Sequence, residues 1–476
     1  MTVFRRLGGL KDVEAFASTC QEAKAALPID PVVEPTGPLS TSFDVAGRRV
    51  GNRFAILPME GWDGTEMGQP TDLTRRRWER FGHGGAKLIW GGEAFAVRHD
   101  GRANPNQLVI NDTNLAAIAD LRQHLVRAHA ERHGSTTDLL VGMQLTHSGR
   151  WSRPNRKDRL EPLLAYHHPL LDARHADQPG HLLSDDALDR LVDDFVRAGE
   201  LAYKAGFDFV DIKHCHGYLG HELLSAIGRP GRYGGSLENR ARFVVSVANG
   251  LRANVPNLLL GTRLSIYDSV PYRKGPSGTG MPEDHSTASY GLAFGGDGTG
   301  TGFDLEEPAA WLRLARDAGI SMVCTTAGSP YYSPHLQRPA AAPPSDGYLP
   351  PEDPLVGVAR QIEATGWLKA RVAGLAWVGS AYSYLQEWLG VVGQAAVRHG
   401  LVDSVGLGRM ALSYPDMPAD LLAGKQLERQ RICRTFSDCT SAPRRGLVSG
   451  CYPLDPLYRD RPEALELRQA RQRQGG

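Results

Sequence analysis

The sequence predicts a (β/α)8 barrel. Three observations carry that reading: eight short apolar runs from Asn52 onward, helical patterns between them, and a chain of 476 residues. Near-continuous apolar strands are expected where both faces of a parallel sheet are buried. Strands alternating with helices close readily into such a barrel, and a single barrel domain can run from about 200 to more than 400 residues.

In chain order the first four runs are Phe54–Met59 (FAILPM), Lys87–Gly92 (KLIWGG), Leu139–His147 (LLVGMQLTH) and Phe207–Cys215 (FDFVDIKHC). The next four are Leu258–Ser265 (LLLGTRLS), Ile320–Gly328 (ISMVCTTAG), Leu368–Gly379 (LKARVAGLAWVG) and Val402–Met410 (VDSVGLGRM). Between them, Leu115, Ile118, Leu121 and Leu125 recur at helical spacing behind Asp112 or Thr113. Leu188, Leu191, Val192, Phe195, Ala198 and Ala202 do the same behind Ser184, a residue suited to cap a helix.

Two long loops follow strand ends, on the face where barrel enzymes keep their sites. Asp268–Asp304 holds nine glycines between Gly275 and Gly302, and Ser329–Pro354 holds eight prolines. Lids and surface decoration are both open readings for them. Gly295–Gly302 (GGDGTGTG) has no strand directly before it and no Lys-Ser/Thr after it, so it reads as a flexible loop rather than a phosphate loop. The organisation expected is an N-terminal extension over 1–40, a barrel over 41–425 and a C-terminal extension over 426–476.

Composition removes several function classes. Lys+Arg number 54 against Asp+Glu 53, so no basic excess argues for nucleic acid. Six cysteines in so long a chain do not make a disulfide scaffold, and a reducing, cytoplasmic location is expected. The N-terminal stretch MTVFRRLGGLKDVEAF has no apolar segment before Lys11 and Asp12, and no signal peptide is read. The run Val372–Val397 is interrupted by Glu387, which fits a buried strand and helix better than a membrane span. A small-molecule substrate is expected, with no nucleic acid and no membrane partner. The sequence leaves the oligomeric state open, a homo-oligomer included.

Six segments stand together in one order: NRFAILPM, PTDLTRRRWERFGHGGAKLIWGGEA, DGRANPNQL, GMQLTHSGR, HGYLGHELLS and RYGGSLENRARF. Together they resemble the Old Yellow Enzyme group of FMN-dependent, NADH:flavin-oxidoreductase-like barrels, from about Asn52 to Lys425. The part beyond the eighth strand resembles the larger relatives 2,4-dienoyl-CoA reductase and trimethylamine dehydrogenase. The resemblance implies noncovalent FMN, NAD(P)H as reductant, and reduction of an activated, enone-type alkene by hydride from flavin N5. An amine-dehydrogenase-like or dealkylating flavoenzyme, and a flavin-binding barrel without activity, are the alternatives.

The same resemblance implies roles for particular residues. Gln144, with both donor and acceptor, faces the flavin N3–H and O2 edge. Arg263 looks like the family arginine at N1 and O2, where a cation stabilises reduced flavin. Gly379, Ser380, Gly408 and Arg409, after the seventh and eighth strands, match the phosphate site. Pro58, Met59, Glu60 and Gly92 fall beside the flavin ring. His216 and Tyr218 match the carbonyl-binding residue and the proton donor.

Three departures accompany these matches. Lys213 stands where the family has His, a flexible point charge in place of an oriented imidazole. Glu60 stands where the family has Thr or Cys, and either contacts flavin or turns away to pair with an arginine. Cys439 and Cys451 keep the spacing of two iron–sulfur ligands of the larger relatives. The earlier positions fall at Ile432 and Thr435, with Cys433 one residue out of place. A [4Fe–4S] cluster is therefore not expected, and the three cysteines read as small hydrophobes. His214 and His216, two apart, are expected on one strand face, which would make half of a metal site. No third ligand is evident, and a metal-dependent hydrolase is disfavoured.

Overall fold

The computed structural model describes residues 4–285, 289–344 and 346–475. The expected N- and C-terminal extensions and both long loops therefore each lie partly outside the described residues.

Eight strands pair in parallel: β1 (Phe54–Ile56), β2 (Leu88–Ile89), β3 (Leu140–Thr146), β4 (Phe209–Ile212), β5 (Leu259–Ser265), β6 (Met322–Thr326), β7 (Ala376–Gly379) and β8 (Ser404–Leu407). Neighbours in sequence are neighbours in space, and β8 returns to β1 with Val405 opposite Phe54, so the barrel closes. Each lies inside one of the expected apolar runs. Helices α1 (Asp72–His83), α2 (Leu115–His133), α3 (Asp185–Lys204), α4 (Leu237–Asn254), α5 (Glu306–Asp317), α6 (Pro354–Arg371), α7 (Leu389–Arg398) and α8 (Met417–Leu422) follow strands one to eight in turn.

Ser184 caps α3, its hydroxyl accepting from Ala187 N at 3.1 Å. At α2 the residue at the cap position is Asn114 rather than Asp112 or Thr113. Its amide is turned to the carbonyls of Met67 and Val109 and fastens a loop instead of the helix. Leu368–Arg371 belong to α6 and not to the seventh strand. Leu368 completes the buried helical stripe of Val358, Ile362 and Thr365, so its apolar character serves the helix. The Val372–Val397 run resolves into β7, a 3₁₀ turn and most of α7. No helix among the described residues is long and apolar enough to cross a membrane.

A two-stranded hairpin, Phe43–Val45 with Arg48–Val50, closes the floor of the barrel. Val45 and Val50 pack there with Leu57, Trp90, Phe209 and Met322 inside the strand ring. The N-terminal segment is fastened to the α7 side, where Phe16 stacks on Trp388 at 5.2 Å and Gln394 donates to Asp30 at 2.6 Å.

The C-terminal segment folds back over the barrel mouth through α9 (Asp438–Arg444) and α10 (Pro462–Gly475). Buried Asp455 receives both terminal nitrogens of Arg76 at 2.9 Å and a nitrogen of Arg80 at 2.6 Å, tying this segment to α1. The proline-rich loop after β6 lies beside it, with Arg338 donating to Thr440.

Candidate active site

At the C-terminal ends of the strands lies a cavity of about 210 Å³, open to solvent on one side. Pro58, Met59 and Glu60 enter from the end of β1, Gln144 from β3 and Arg263 from β5. Lys213, His216 and Tyr218 come from the turn after β4, Ser380 from beyond β7, and Gly408 and Arg409 from beyond β8. Two of the expected glycines stand in the wall instead. Gly92 has φ 57° and accepts from Met59 N at 3.2 Å, and a Cβ there would fall 2.6 Å from the Trp78 ring. Gly379 pairs with Val405, and a Cβ there would fall 2.9 Å from Val402.

The floor is organised by Asp211, which the sequence did not single out for a role. This fully buried carboxylate accepts from Gln144 Nε2 at 2.6 Å, from Trp90 Nε1 at 2.8 Å and from the Arg263 backbone at 2.6 Å. Burial raises its pKa and these hydrogen bonds oppose the rise. The cost of burying a charge is met by saturating it with donors. One amide proton of Gln144 is thereby spent inside the protein, which fixes the rotation of the amide group.

The β4 turn aims its side chains through an unusual backbone. His216 has φ 67° and Gly217 has φ 78°. A left-handed histidine costs roughly 1 kcal/mol or more and persists where neighbours enforce it. Here Ser265 Oγ accepts from His216 N at 3.2 Å and Ser329 Oγ donates to His216 O at 2.9 Å. The turn separates the two histidines that alternation placed on one face. His214 points outward between Phe243 and Trp311, donating from Nδ1 to Ile212 O at 2.9 Å. His216 lines the cavity. The paired-histidine half of a metal site is therefore corrected: β4 ends at Ile212, before strand alternation could carry both rings to one side.

Inside the cavity Tyr218 donates to Glu60, and its oxygen lies 2.9 Å from the Tyr331 hydroxyl. Lys213 Nζ sits 3.9 Å over the centre of the Tyr218 ring and 3.9 Å from the other Glu60 oxygen. Glu60 thus lines the cavity, and its cationic partner is a lysine rather than an arginine. Burial, and then Glu60 and Tyr331, raise the Tyr218 pKa well above the ordinary phenol value, so the group keeps its proton. Burial lowers the Lys213 pKa, with Glu60 opposing. Burial, Arg263 and Lys213 hold the His216 pKa well below its usual value, so the ring is neutral at pH 7.

The rest of the cavity lining is strongly cationic. Arg409 reaches Pro339 O at 2.8 Å with one nitrogen, while Nη1 is buried without a partner. Arg338 Nη2 and Arg263 Nε are also buried and unpartnered. Burial, then the charges of Arg444 and Arg409, pull the Arg338 pKa down to about 9. Guanidinium groups that crowd one another and leave donors unused are chemically suited to hold an anion.

Tyr331, Gln337, Arg338, Thr440 and Arg444 line the cavity without having been foreseen. They come from the proline-rich loop and from α9, which carry no periodic pattern to place them. That loop is thus a wall of the site, whereas none of the described residues of the glycine-rich Asp268–Asp304 loop lines this cavity. Cys433 and Cys451 are buried, while Cys439 is partly exposed and lines the cavity. Among the described residues no group of three His, Cys, Asp or Glu side chains is arranged to hold a metal ion.

Comparison with known proteins places this geometry in context. 12-Oxophytodienoate reductase 1 of Oryza sativa subsp. japonica is 46% identical over 87 residues, 18% of this chain and 23% of that protein. The chain spans about a quarter of the length of the curated rice relatives it matches. Among solved structures, 2-naphthoyl-CoA reductase superposes with a TM-score of 0.65 at 16% identity, over 89% of this chain and 58% of that one. The old yellow enzyme homologue from Zymomonas mobilis superposes with a TM-score of 0.56 at 21% identity, over 84% of this chain and 98% of that one. Both share the fold. Residues 39–281, just over half of the sequence, match the family described as NADH:flavin oxidoreductase / NADH oxidase, and the chain belongs to that family.

Proposed function

We propose that the protein is an FMN-dependent oxidoreductase that uses NAD(P)H to reduce an alkene activated by a neighbouring carbonyl. The observation that carries this reading is the convergence on one cavity of Gln144, Arg263, Ser380, Gly408 and Arg409 with Lys213, His216 and Tyr218. The unpartnered nitrogens of Arg263, Arg338 and Arg409 fit the group in question, since FMN brings an electron-rich ring edge and a phosphate. Arg409 and Arg338 would hold the phosphate with the backbone of Ser380 and Gly408. Arg263 and the free side of the Gln144 amide would hold the ring. Position 60 carries a carboxylate and no thiol, which supports noncovalent binding.

FMN bound there would supply two-electron hydride chemistry linking NAD(P)H to the conjugated alkene. Around it the side chains handle the carbonyl and the proton. Lys213 Nζ and the neutral His216 ring donate to the carbonyl oxygen, drawing electron density away from the alkene. Tyr218, held protonated by burial and by Glu60, gives its proton to the α carbon. The proline-rich loop and α9 form the walls around these groups.

The purified protein tests this reading. It should show flavin absorbance, and heat or acid should release FMN into the supernatant. Flavin retained on the precipitate, FAD in the extract, or failure to bind added FMN would each overturn the reading as stated.

A further inference from the structure

Among the described residues six cationic side chains line the cavity, against one carboxylate, that of Glu60. Five of the six have work inside the protein. Lys213 faces Glu60, Arg444 donates to Asp346 and to Pro330 O, and Arg338 donates to Thr440. Arg263 and Arg409 donate to the carbonyls of Pro58 and Pro339. Arg153 lines the cavity, and among the described residues its side chain makes no hydrogen bond or ion pair.

Its position is set by rigid neighbours. The Arg153 backbone donates to Arg102 O at 2.8 Å. Two residues earlier, Trp151 stacks on Tyr331 with ring centres 4.2 Å apart and planes within 7°. The Tyr331 hydroxyl contacts Tyr218, so Arg153 belongs to the same wall as the proton donor. Burial raises the Tyr331 pKa, and the positive charges of Arg153 and Arg444 oppose the rise, which places both guanidinium groups within electrostatic reach of that phenol. The cations acting most strongly on Arg338 are Arg444 and Arg409, and Arg153 is not one of them.

We infer that the substrate carries a carboxylate, set apart from the reacting alkene, and that Arg153 binds it. The inference rests on the cavity being the alkene-reducing site proposed above. An uncompensated guanidinium in a partly closed cavity attracts anions through a focused field. A planar guanidinium also matches a carboxylate bidentately, which adds orientation to attraction. Tyr331, held by its stack on the buried Trp151 ring, offers an aromatic flank in the cavity wall for a conjugated or aromatic body lying between carboxylate and alkene.

The test compares benzylideneacetone bearing a para-carboxylate with its methyl ester, in wild-type holoenzyme, Arg153→Gln and Arg153→Lys. Wild type should favour the acid in kcat/KM by about tenfold, which corresponds to ~1.4 kcal/mol. Arg153→Gln should abolish that preference and Arg153→Lys should restore part of it. Calorimetric titration of both compounds reads the same ratio in Kd, so a protein that binds but does not turn over still decides the point. Absence of turnover with a retained acid preference in Kd would count against the proposed reaction alone. Equal affinity for acid and ester in wild type, or an unchanged ratio in Arg153→Gln, would overturn the carboxylate site. So would equal loss of both compounds in Arg153→Gln, which would show Arg153 to be structural.

Discussion

The Tyr218 hydroxyl donates to Glu60, and the other oxygen of that carboxylate lies 3.9 Å from Lys213 Nζ. A phenol, a carboxylate and an amine are thus joined at one side of the cavity. The residues at positions 60 and 213 belong to one network. An anion beside the phenol disfavours phenolate, so Tyr218 holds its proton until an acceptor arrives.

Tyr218→Phe should slow reoxidation of the flavin by an enone by about 10²–10⁴-fold, the range expected when a general acid is removed. The loss should fall on this oxidative half-reaction, because flavin reduction by NAD(P)H requires no proton donor to carbon. Stopped-flow measurement of the two half-reactions checks this. Equal slowing of both would assign Tyr218 to binding.

Glu60→Gln should raise the flavin midpoint potential at neutral pH, because removing a negative charge near the ring eases formation of the anionic reduced flavin. For a two-electron couple, about 30 mV corresponds to ~1.4 kcal/mol, so a shift of this order is readily measured. Lys213 on the same carboxylate reduces the effect without reversing its sign. A potential unchanged in Glu60→Gln would place the carboxylate outside the field of the flavin.

Arg409→Gln should weaken FMN binding by roughly 10- to 100-fold, as expected for a charged hydrogen bond worth about 1.5–3 kcal/mol. The phosphate is the group concerned, so the preference for FMN over riboflavin should shrink with it. Fluorescence titration of apoprotein with both flavins measures the ratio. An undiminished preference would move the phosphate away from Arg409.

Much of this was legible in the sequence for a definite reason. Each barrel strand is buried on both faces, and continuous apolar runs such as LLVGMQLTH register that directly. Strand-end residues such as Gln144 and Arg263 could be located once the strands were. What escaped depended on features without a pattern. Asp211 looks like any aspartate within an apolar run until Trp90, Gln144 and the Arg263 backbone are seen to converge on it. The opposite directions of His214 and His216 follow from a left-handed backbone that strand alternation does not anticipate. Arg338 and Arg444 reach the cavity from a loop and a C-terminal helix far apart in sequence, each placed by tertiary packing alone.

Stability should depend on pH through buried histidines, of which His214 is the clearest. Burial lowers its pKa from 6.5 to about 4, so the unfolded chain binds a proton that the folded protein refuses. The resulting stability is full above pH 6.5 and is lost as pH falls toward 4. Between pH ~7.5 and ~5.5 this single group costs about 1.4 kcal/mol. His214→Phe, which keeps a ring between Phe243 and Trp311, should reduce the stability difference between those two pH values by that amount. Denaturant unfolding at both pH values measures it, and an unchanged difference would refute the assignment to His214.

The central claim is tested most directly by an anaerobic redox cycle on the purified holoprotein, followed by flavin absorbance. NADH or NADPH should bleach the oxidised flavin band, and adding an enone should restore it, with one alkene reduced per flavin reoxidised. A flavin that NAD(P)H reduces but no enone reoxidises, or one reduced only by an amine, would contradict the account.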